Sequence, residues 1–317
     1  MKKLLPLLIL TLAYTGSFAQ SKADTSESEM ILRTSTGNIA GTLTVPQQEK
    51  PMPVVIIIPG SGPTDRNGNS PIGLHTDVYK MLAEGLAKNK IASLRYDKRG
   101  IGESKAAMPD ENSIRFDTYV QDVVDWITEL KADKRFSKIY LLGHSEGSLI
   151  GMLAAEKNKV AGYISVSGPG RPMDEILREQ LSNKLPPQLL SESDNILDSL
   201  KAGKTVANVP PALNTLYRPS VQPYMISHMK YNPAKEIAKL KMPVLIIQGT
   251  TDLQVPVSDA RLLKAAKPDA QLDIIDNMNH VLKESDNDQQ HNLATYRSPD
   301  FPLKAGLMND LVQFIKH

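Results

Sequence analysis

The sequence predicts an α/β protein: a mostly parallel sheet flanked by helices, with a helical cap inserted between two core strands. Three observations carry this. Short β-branched runs alternate with amphipathic segments of helical spacing along most of the chain. One run, Val54–Ile58, is apolar at every position, the pattern of a strand buried on both faces. One stretch, 170–233, breaks the alternation with eight prolines in or beside it and no clear strand: Pro172, Pro186, Pro187, Pro210, Pro211, Pro219, Pro223 and Pro233.

Taken in order, Met30–Arg33 and Ile39–Val45 alternate like two strands around a Thr36-Gly37-Asn38 turn. After strand Val54–Ile58, a helix is expected over Asp77–Lys88, with Val78, Met81, Leu82 and Leu86 on one face. Ile91–Arg95 is the next strand. Phe116–Leu130 is a strongly amphipathic helix that gathers Tyr119, Val120, Val123, Trp126, Ile127 and Leu130 on one side. Strand Ile139–Leu142, helix Glu146–Lys157 and strand Val160–Val166 follow. In 170–233 short apolar patches such as Ile176-Leu177 and Ile196-Leu197-Leu200 suit the helices of a cap, or of a small domain with its own core. Beyond it come strand Val244–Gln248, helix Asp259–Ala266, strand Leu272–Ile275 and a closing helix Leu307–Ile315. The core is thus expected over 30–169 and 234–317.

The N-terminus has the pattern of an address. Lys2 and Lys3 precede an apolar run, and Ser17 and Ala19 are small residues at the −3 and −1 positions of a cut after Ala19. A cleaved signal peptide over 1–19, a flexible lead-in over 20–29 and a secreted or periplasmic protein are the expectation. The apolar run is too short to remain as a spanning anchor, so no stable membrane anchor is expected. Without Lys2 and Lys3 the chain holds 35 basic and 35 acidic residues, which offers no basic stripe for nucleic acid. There is no cysteine, which excludes disulfides, thiolate nucleophiles and cysteine metal sites.

The chemistry is written in Gly143-His144-Ser145-Glu146-Gly147. This G-x-S-x-G stands directly after an expected strand and opens an expected helix, the setting of a nucleophile elbow. A serine hydroxyl needs a base, and the base needs an orienting acid. Asp252 follows strand Val244–Gln248 and His280 follows strand Leu272–Ile275, so Ser145, Asp252 and His280 leave the same rim of one sheet. Such an elbow takes its partners in the order serine, acid, histidine, so His75 and His144 come too early, and His228 lies in the expected cap. Two backbone amides should bind the oxyanion: that of Glu146, and one from the loop after Val54–Ile58, where Ser61 is the first choice and Gly60 the second.

With these residues in hand, the chain from Met30 to His317 resembles the α/β-hydrolase superfamily. Asp97-Lys98-Arg99-Gly100-Ile101-Gly102-Glu103-Ser104 is similar to its D-x-R-G-x-G-x-S segment. Gly60-Ser61-Gly62-Pro63-Thr64-Asp65-Arg66-Asn67-Gly68-Asn69 resembles the oxyanion loop of a lysophospholipase-like or serine-aminopeptidase-like esterase subgroup of the EstD type. The usual His-Gly of that loop is Pro59-Gly60 here. The resemblance implies a serine esterase that cleaves small-molecule carboxylic esters with no metal and no organic cofactor. Asp65, Arg66, Asp97 and Arg99 are expected to pair loops around the site. A serine peptidase of aminopeptidase or prolyl type shares the triad, and would need acidic side chains such as Asp174, Glu175 or Glu179 to recognise a free amine. A non-catalytic binding protein on the same fold is the third reading.

Overall fold

The computed structural model describes residues 25–317. The expected leader and residues 20–24 of the expected lead-in lie outside that range. The described strands are β1 Thr25–Thr34, β2 Gly37–Pro46, β3 Met52–Ile58, β4 Asn69–Ser70, β5 Leu74–His75, β6 Ala92–Tyr96, β7 Phe136–His144, β8 Gly162–Val166, β9 Val244–Gly249 and β10 Gln271–Ile275. The core helices are α1 Val78–Lys88, α2 Phe116–Ala132 and α3 Glu146–Lys157, then, beyond the cap, α9 Val257–Ala266, α10 Gln289–Ala294 and α11 Leu307–Lys316. Between β8 and β9 lie α4 Met173–Ser182, α5 Pro187–Lys201, α6 Asn214–Tyr217, α7 Gln222–His228 and α8 Pro233–Ile237. No helix among the described residues is long and apolar enough to cross a membrane.

Eight strands form one sheet in the order β1-β2-β6-β3-β7-β8-β9-β10. The pairs β1–β2 and β2–β6 are antiparallel, and the rest are parallel. Alternation within β3 splits its run of five apolar residues between the faces. Val54, Ile56 and Ile58 join a core with α2 and α3, while Val55 and Ile57 join a second core with α1 and α11. Each fully buried aliphatic side chain is worth about 1.5–3 kcal/mol, so both layers are needed to cover the sheet. In α3 every residue from Glu146 to Ala155 is buried. Its small residues let it lie deep against the sheet, which is why it shows no polar stripe.

Three local expectations change. β1 begins at Thr25, so Thr25–Glu29, expected as flexible, is strand paired with β2. Its residues are exposed there, as on an edge strand, and so carry no apolar alternation. The β1–β2 turn falls at Ser35–Thr36, with Gly37 already paired to Thr34. The hairpin β4–β5 and helix α10 were not expected.

The cap helices gather Ile196, Leu197, Leu200, Leu213, Tyr217, Met225 and Met229 into an apolar cluster of their own. A polar seam ties them to the core. Ser227 Oγ accepts from the Phe116 amide at 2.7 Å, Arg218 Nε donates to Glu111 at 2.9 Å, and the Tyr231 hydroxyl donates to Asp117 at 2.5 Å.

Candidate active site

Parallel pairing brings the functional loops to one level. Ile58 pairs with Gly143, Gly143 with Ser165, Val166 with Ile247, and Gly249 with Ile275. The chain that leaves β3, β7, β9 and β10 therefore emerges along one edge, where open parallel sheets carry their sites.

Ser145 sits between β7 and α3 with φ 54° and ψ −123°, a strained conformation for a side chain with a Cβ. Its amide donates to the Val166 carbonyl at 3.0 Å, and its carbonyl accepts from Ser148 at 2.9 Å, which holds the strain. The motif glycines have a steric cause. A Cβ on Gly147 would stand 2.3 Å from the Ile58 carbonyl oxygen, and one on Gly143 2.3 Å from that of Gly147. No larger residue fits where strand, turn and helix cross so closely.

Asp252 and His280 meet. His280 Nδ1 lies 2.8 Å from Asp252 Oδ2. The carboxylate also accepts from Gln248 Nε2 at 3.0 Å and from the amides of Gln254 and Val255 at 2.8 and 2.9 Å. Burial pushes the Asp252 carboxyl up, but the His280 imidazole and the two amides outweigh it and hold its pKa below the usual carboxylate value. An ionised carboxylate only accepts, so Nδ1 of His280 carries the proton and Nε2 keeps its lone pair. The loop that bears His280 is pinned to the loop that bears Asp252. Asn279 donates to Thr295 at 2.7 Å and to Asn292 at 3.2 Å, and Asn292 donates to the Thr251 carbonyl at 2.7 Å.

Ser145 and His280 line one cavity of about 90 Å³. It is compact beside the ~300–1,000 Å³ of sites for drug-sized ligands. Its other walls include Thr64, Leu74, Val78, Gln254 and Tyr296, from the loop after β3 and the segments around Asp252 and α10. No cap residue and no carboxylate lines it. The serine hydroxyl makes no hydrogen bond to the imidazole in this structure, and such contacts often tighten only with substrate bound.

The expected oxyanion donors divide. The amides of Ser61 and Glu146 have no acceptor among the described residues and remain free to donate. Gly60 is a correction: its amide donates to the Tyr79 hydroxyl at 3.0 Å, so it is already committed. Gly60 serves the site by lacking a side chain, since a Cβ there would stand 3.2 Å from the Ser145 Cβ.

Sequence reasoning set His144 aside by chain order and passed over Tyr79. The structure gives both a supporting place. The Tyr79 hydroxyl lies 2.8 Å from His144 Nδ1, and His144 Nε2 lies 2.8 Å from the His280 carbonyl oxygen. A carbonyl only accepts, so Nε2 carries the proton and Nδ1 accepts from Tyr79. Burial pushes the His144 pKa down to about 3, with the neighbouring His280 adding to the effect, and pushes the Tyr79 phenol up. Both therefore stay neutral and act as a fixed brace from Gly60 to the backbone of His280. Arg66 pairs with Asp97 at 2.8 Å and Arg99 with Asp122 at 2.6 Å, as expected, whereas Asp65 Oδ1 accepts from the amides of Asn67 and Asn69 within its own loop.

Comparisons with known proteins bear on family and fold. Residues 72–286, more than half of the chain, match the Hydrolase_4 family, described as "Serine aminopeptidase, S33". The chain is similar to the esterase EstD of Thermotoga maritima, at 30% identity over 251 residues, covering 77% of this chain and 58% of the relative, so it spans well under two thirds of that protein's length. It is also similar to a monoglyceride lipase homolog of monkeypox virus, at 27% identity over 68% of this chain and 80% of the relative. Among solved structures, the α/β hydrolase GrgF from Penicillium sp. sh18 superposes with a TM-score of 0.61 at 20% identity, over 92% of this chain and 98% of that one, which shows a shared fold. With residues 72–286 matched, the chain belongs to the Hydrolase_4 (serine aminopeptidase, S33) family, and it has the α/β-hydrolase fold.

Proposed function

We propose that this protein is a serine carboxylesterase for small-molecule esters with short acyl chains. The observation that carries the reading is that His280, paired with Asp252, shares a cavity of about 90 Å³ with the strained Ser145. Ser145 Oγ attacks the acyl carbonyl while His280 Nε2 takes its proton. Asp252 holds the tautomer and stabilises the imidazolium. The amides of Ser61 and Glu146 take the oxyanion. Collapse breaks the ester C–O bond, and His280 returns the proton to the departing alcohol. Water, activated by His280, then repeats the attack and releases the acid and free serine. The names of EstD and the monoglyceride lipase homolog support an ester substrate.

The peptidase reading is disfavoured by what the acidic residues do. A free amine needs a carboxylate at the site, and none lines the cavity. Of the candidates, Asp174 pairs with Lys201 at 2.6 Å, Glu179 pairs with Arg171, and Glu175 is exposed. The experiment is a series of 4-nitrophenyl esters from acetate to palmitate beside aminoacyl 4-nitroanilides. Turnover falling steeply with acyl length is expected, with anilides inert. Faster anilide cleavage would replace the esterase by an aminopeptidase. Export remains part of the proposal on the basic and apolar pattern of residues 1–19, and an exported product beginning at Gln20 is its expected sign.

A further inference from the structure

Lys98 occupies the second position of the Asp97-Lys98-Arg99-Gly100 segment, and the mechanism above gives it no task. It is only 3% exposed. A buried ammonium is costly unless it is paired and hydrogen-bonded. Its partners are specific. Lys98 Nζ donates to the Gly60 carbonyl oxygen, lies 3.7 Å from Glu146 Oε2 and sits 5.5 Å from the centre of the Tyr119 ring. Burial lowers its pKa from the usual lysine value, against the pull of the Glu146 carboxylate.

Gly60 O belongs to the same peptide unit as the Ser61 N–H. In a trans peptide the carbonyl and the N–H point in opposite directions across one rigid plane. The structure has no cis peptide among the described residues. Fixing the carbonyl on Lys98 therefore fixes the Ser61 N–H on the far side, where Ser61 lines the cavity. The neighbouring groups are held as well. The Gly60 amide is bound by Tyr79, and the Ser61 carbonyl accepts from Thr64 Oγ1 at 3.2 Å. Of the four main-chain polar groups of Gly60 and Ser61, the Ser61 N–H alone is left for a ligand.

We propose that Lys98 is a positioning residue of the oxyanion hole, which orients and polarises the Gly60–Ser61 peptide so that the Ser61 N–H donates to the developing oxyanion. This rests on the esterase reading. A cation bound to an amide oxygen draws electron density through the amide, and hydrogen bonds linked in this way strengthen one another. Glu146 balances the charge with its side chain while its own amide supplies the second donor. The same ion pair thus underlies both donors.

The competing role is charge balance alone, with Lys98 present only to neutralise buried Glu146. Two variants separate them: Lys98→Met, and Lys98→Met with Glu146→Gln. The single variant leaves Glu146 unpaired, so its stability falls for either reason. The double variant removes both charges and keeps an acceptor for the Tyr224 hydroxyl, which now donates to Glu146 at 2.7 Å. Turnover of 4-nitrophenyl acetate is measured per titrated active site, together with the affinity for an aryl trifluoromethyl ketone, which adds to the serine as a tetrahedral adduct. We expect kcat to fall about 10²-fold in both variants, the scale of losing one oxyanion donor, with KM little changed and ketone affinity falling in parallel. The double variant regains thermal stability but not rate. Recovery of kcat along with stability, or kcat within twofold of the parent in the single variant, would overturn the assignment. If the single variant does not fold, the double variant is read by the same criteria. A parent enzyme whose turnover survives Ser145→Ala would instead overturn the esterase reading.

Discussion

At the scale of single residues, the site is controlled by who accepts and who donates. Asp252 accepts from three directions besides His280, which leaves the imidazole one tautomer. His144 is held neutral between Tyr79 and the His280 carbonyl. Both arrangements have a pH consequence of known sign. The folded pKa of His144 lies near 3, below its unfolded value of about 6.5. The unfolded chain binds that proton first, so stability is full above pH 6.5 and declines as the pH falls towards 3. Asp252 acts in the same sense: its lowered pKa stabilises the fold above the usual carboxylate value, and that contribution is lost as the pH falls through the folded value. A tenfold difference in proton affinity between folded and unfolded chain is worth about 1.4 kcal/mol, so the His144 penalty reaches several kcal/mol in acid. Urea unfolding at pH 7, 5.5 and 4 should show the decline. A His144→Gln variant, less stable at pH 7, should decline less steeply. Parallel slopes for the two proteins would remove His144 as the cause. The placement of Ser145, Asp252 and His280 on one rim was legible in the sequence because each follows a recognisable strand. Tyr79 and Lys98 were not, because their roles depend on hydrogen bonds to Gly60, 19 and 38 residues away, and no periodicity records such a pairing.

At the scale of elements, strand ends and short loops make the pocket. At the elbow α3 lies so close to β7 and to the end of β3 that Gly143 and Gly147 are required by van der Waals contact, and this requirement is what made the motif readable. The hairpin β4–β5 was not readable, since two-residue strands carry no alternation. It nevertheless brings Leu74 to the wall of the cavity, and the loop is tied to the far wall by the His75 amide donating to the Tyr296 carbonyl at 2.7 Å. Leu74→Ala should therefore lengthen the accepted acyl chain. One methylene in an apolar pocket is worth about 1–3 kcal/mol of discrimination, so the ratio of butyrate to acetate turnover should rise about tenfold or more. An unchanged ratio would mean that the acyl group lies elsewhere.

For the whole molecule, a sheet with two apolar cores supplies the platform, and the cap is joined to it by polar contacts and by the packing of Tyr224, His228 and Tyr231 on Phe116. The alternation of strands and helices made the platform legible. The helices between β8 and β9 were legible only as an interruption, because α6, α7 and α8 have four, seven and five residues, too short for a strong periodic signal. The cap's apolar residues mostly serve its own cluster, and the hydroxyls of Tyr224, Ser227 and Tyr231 hold the seam. Ser227→Ala would leave the buried Phe116 amide without its acceptor, at a cost of about 1–3 kcal/mol. Urea titration checks it, and a loss below about 0.5 kcal/mol, under the usual worth of a hydrogen bond, would show that the seam is not sustained by this contact.

Everything proposed for this site depends on Ser145 being the nucleophile of an ester hydrolase. That role is tested most directly by comparing 4-nitrophenyl acetate turnover in the parent protein and in Ser145→Ala, purified side by side and matched for folded protein. A fall in kcat of about 10⁶-fold is expected, the loss seen when the serine of a comparable triad is removed. Turnover in the variant within tenfold of the parent would contradict that role.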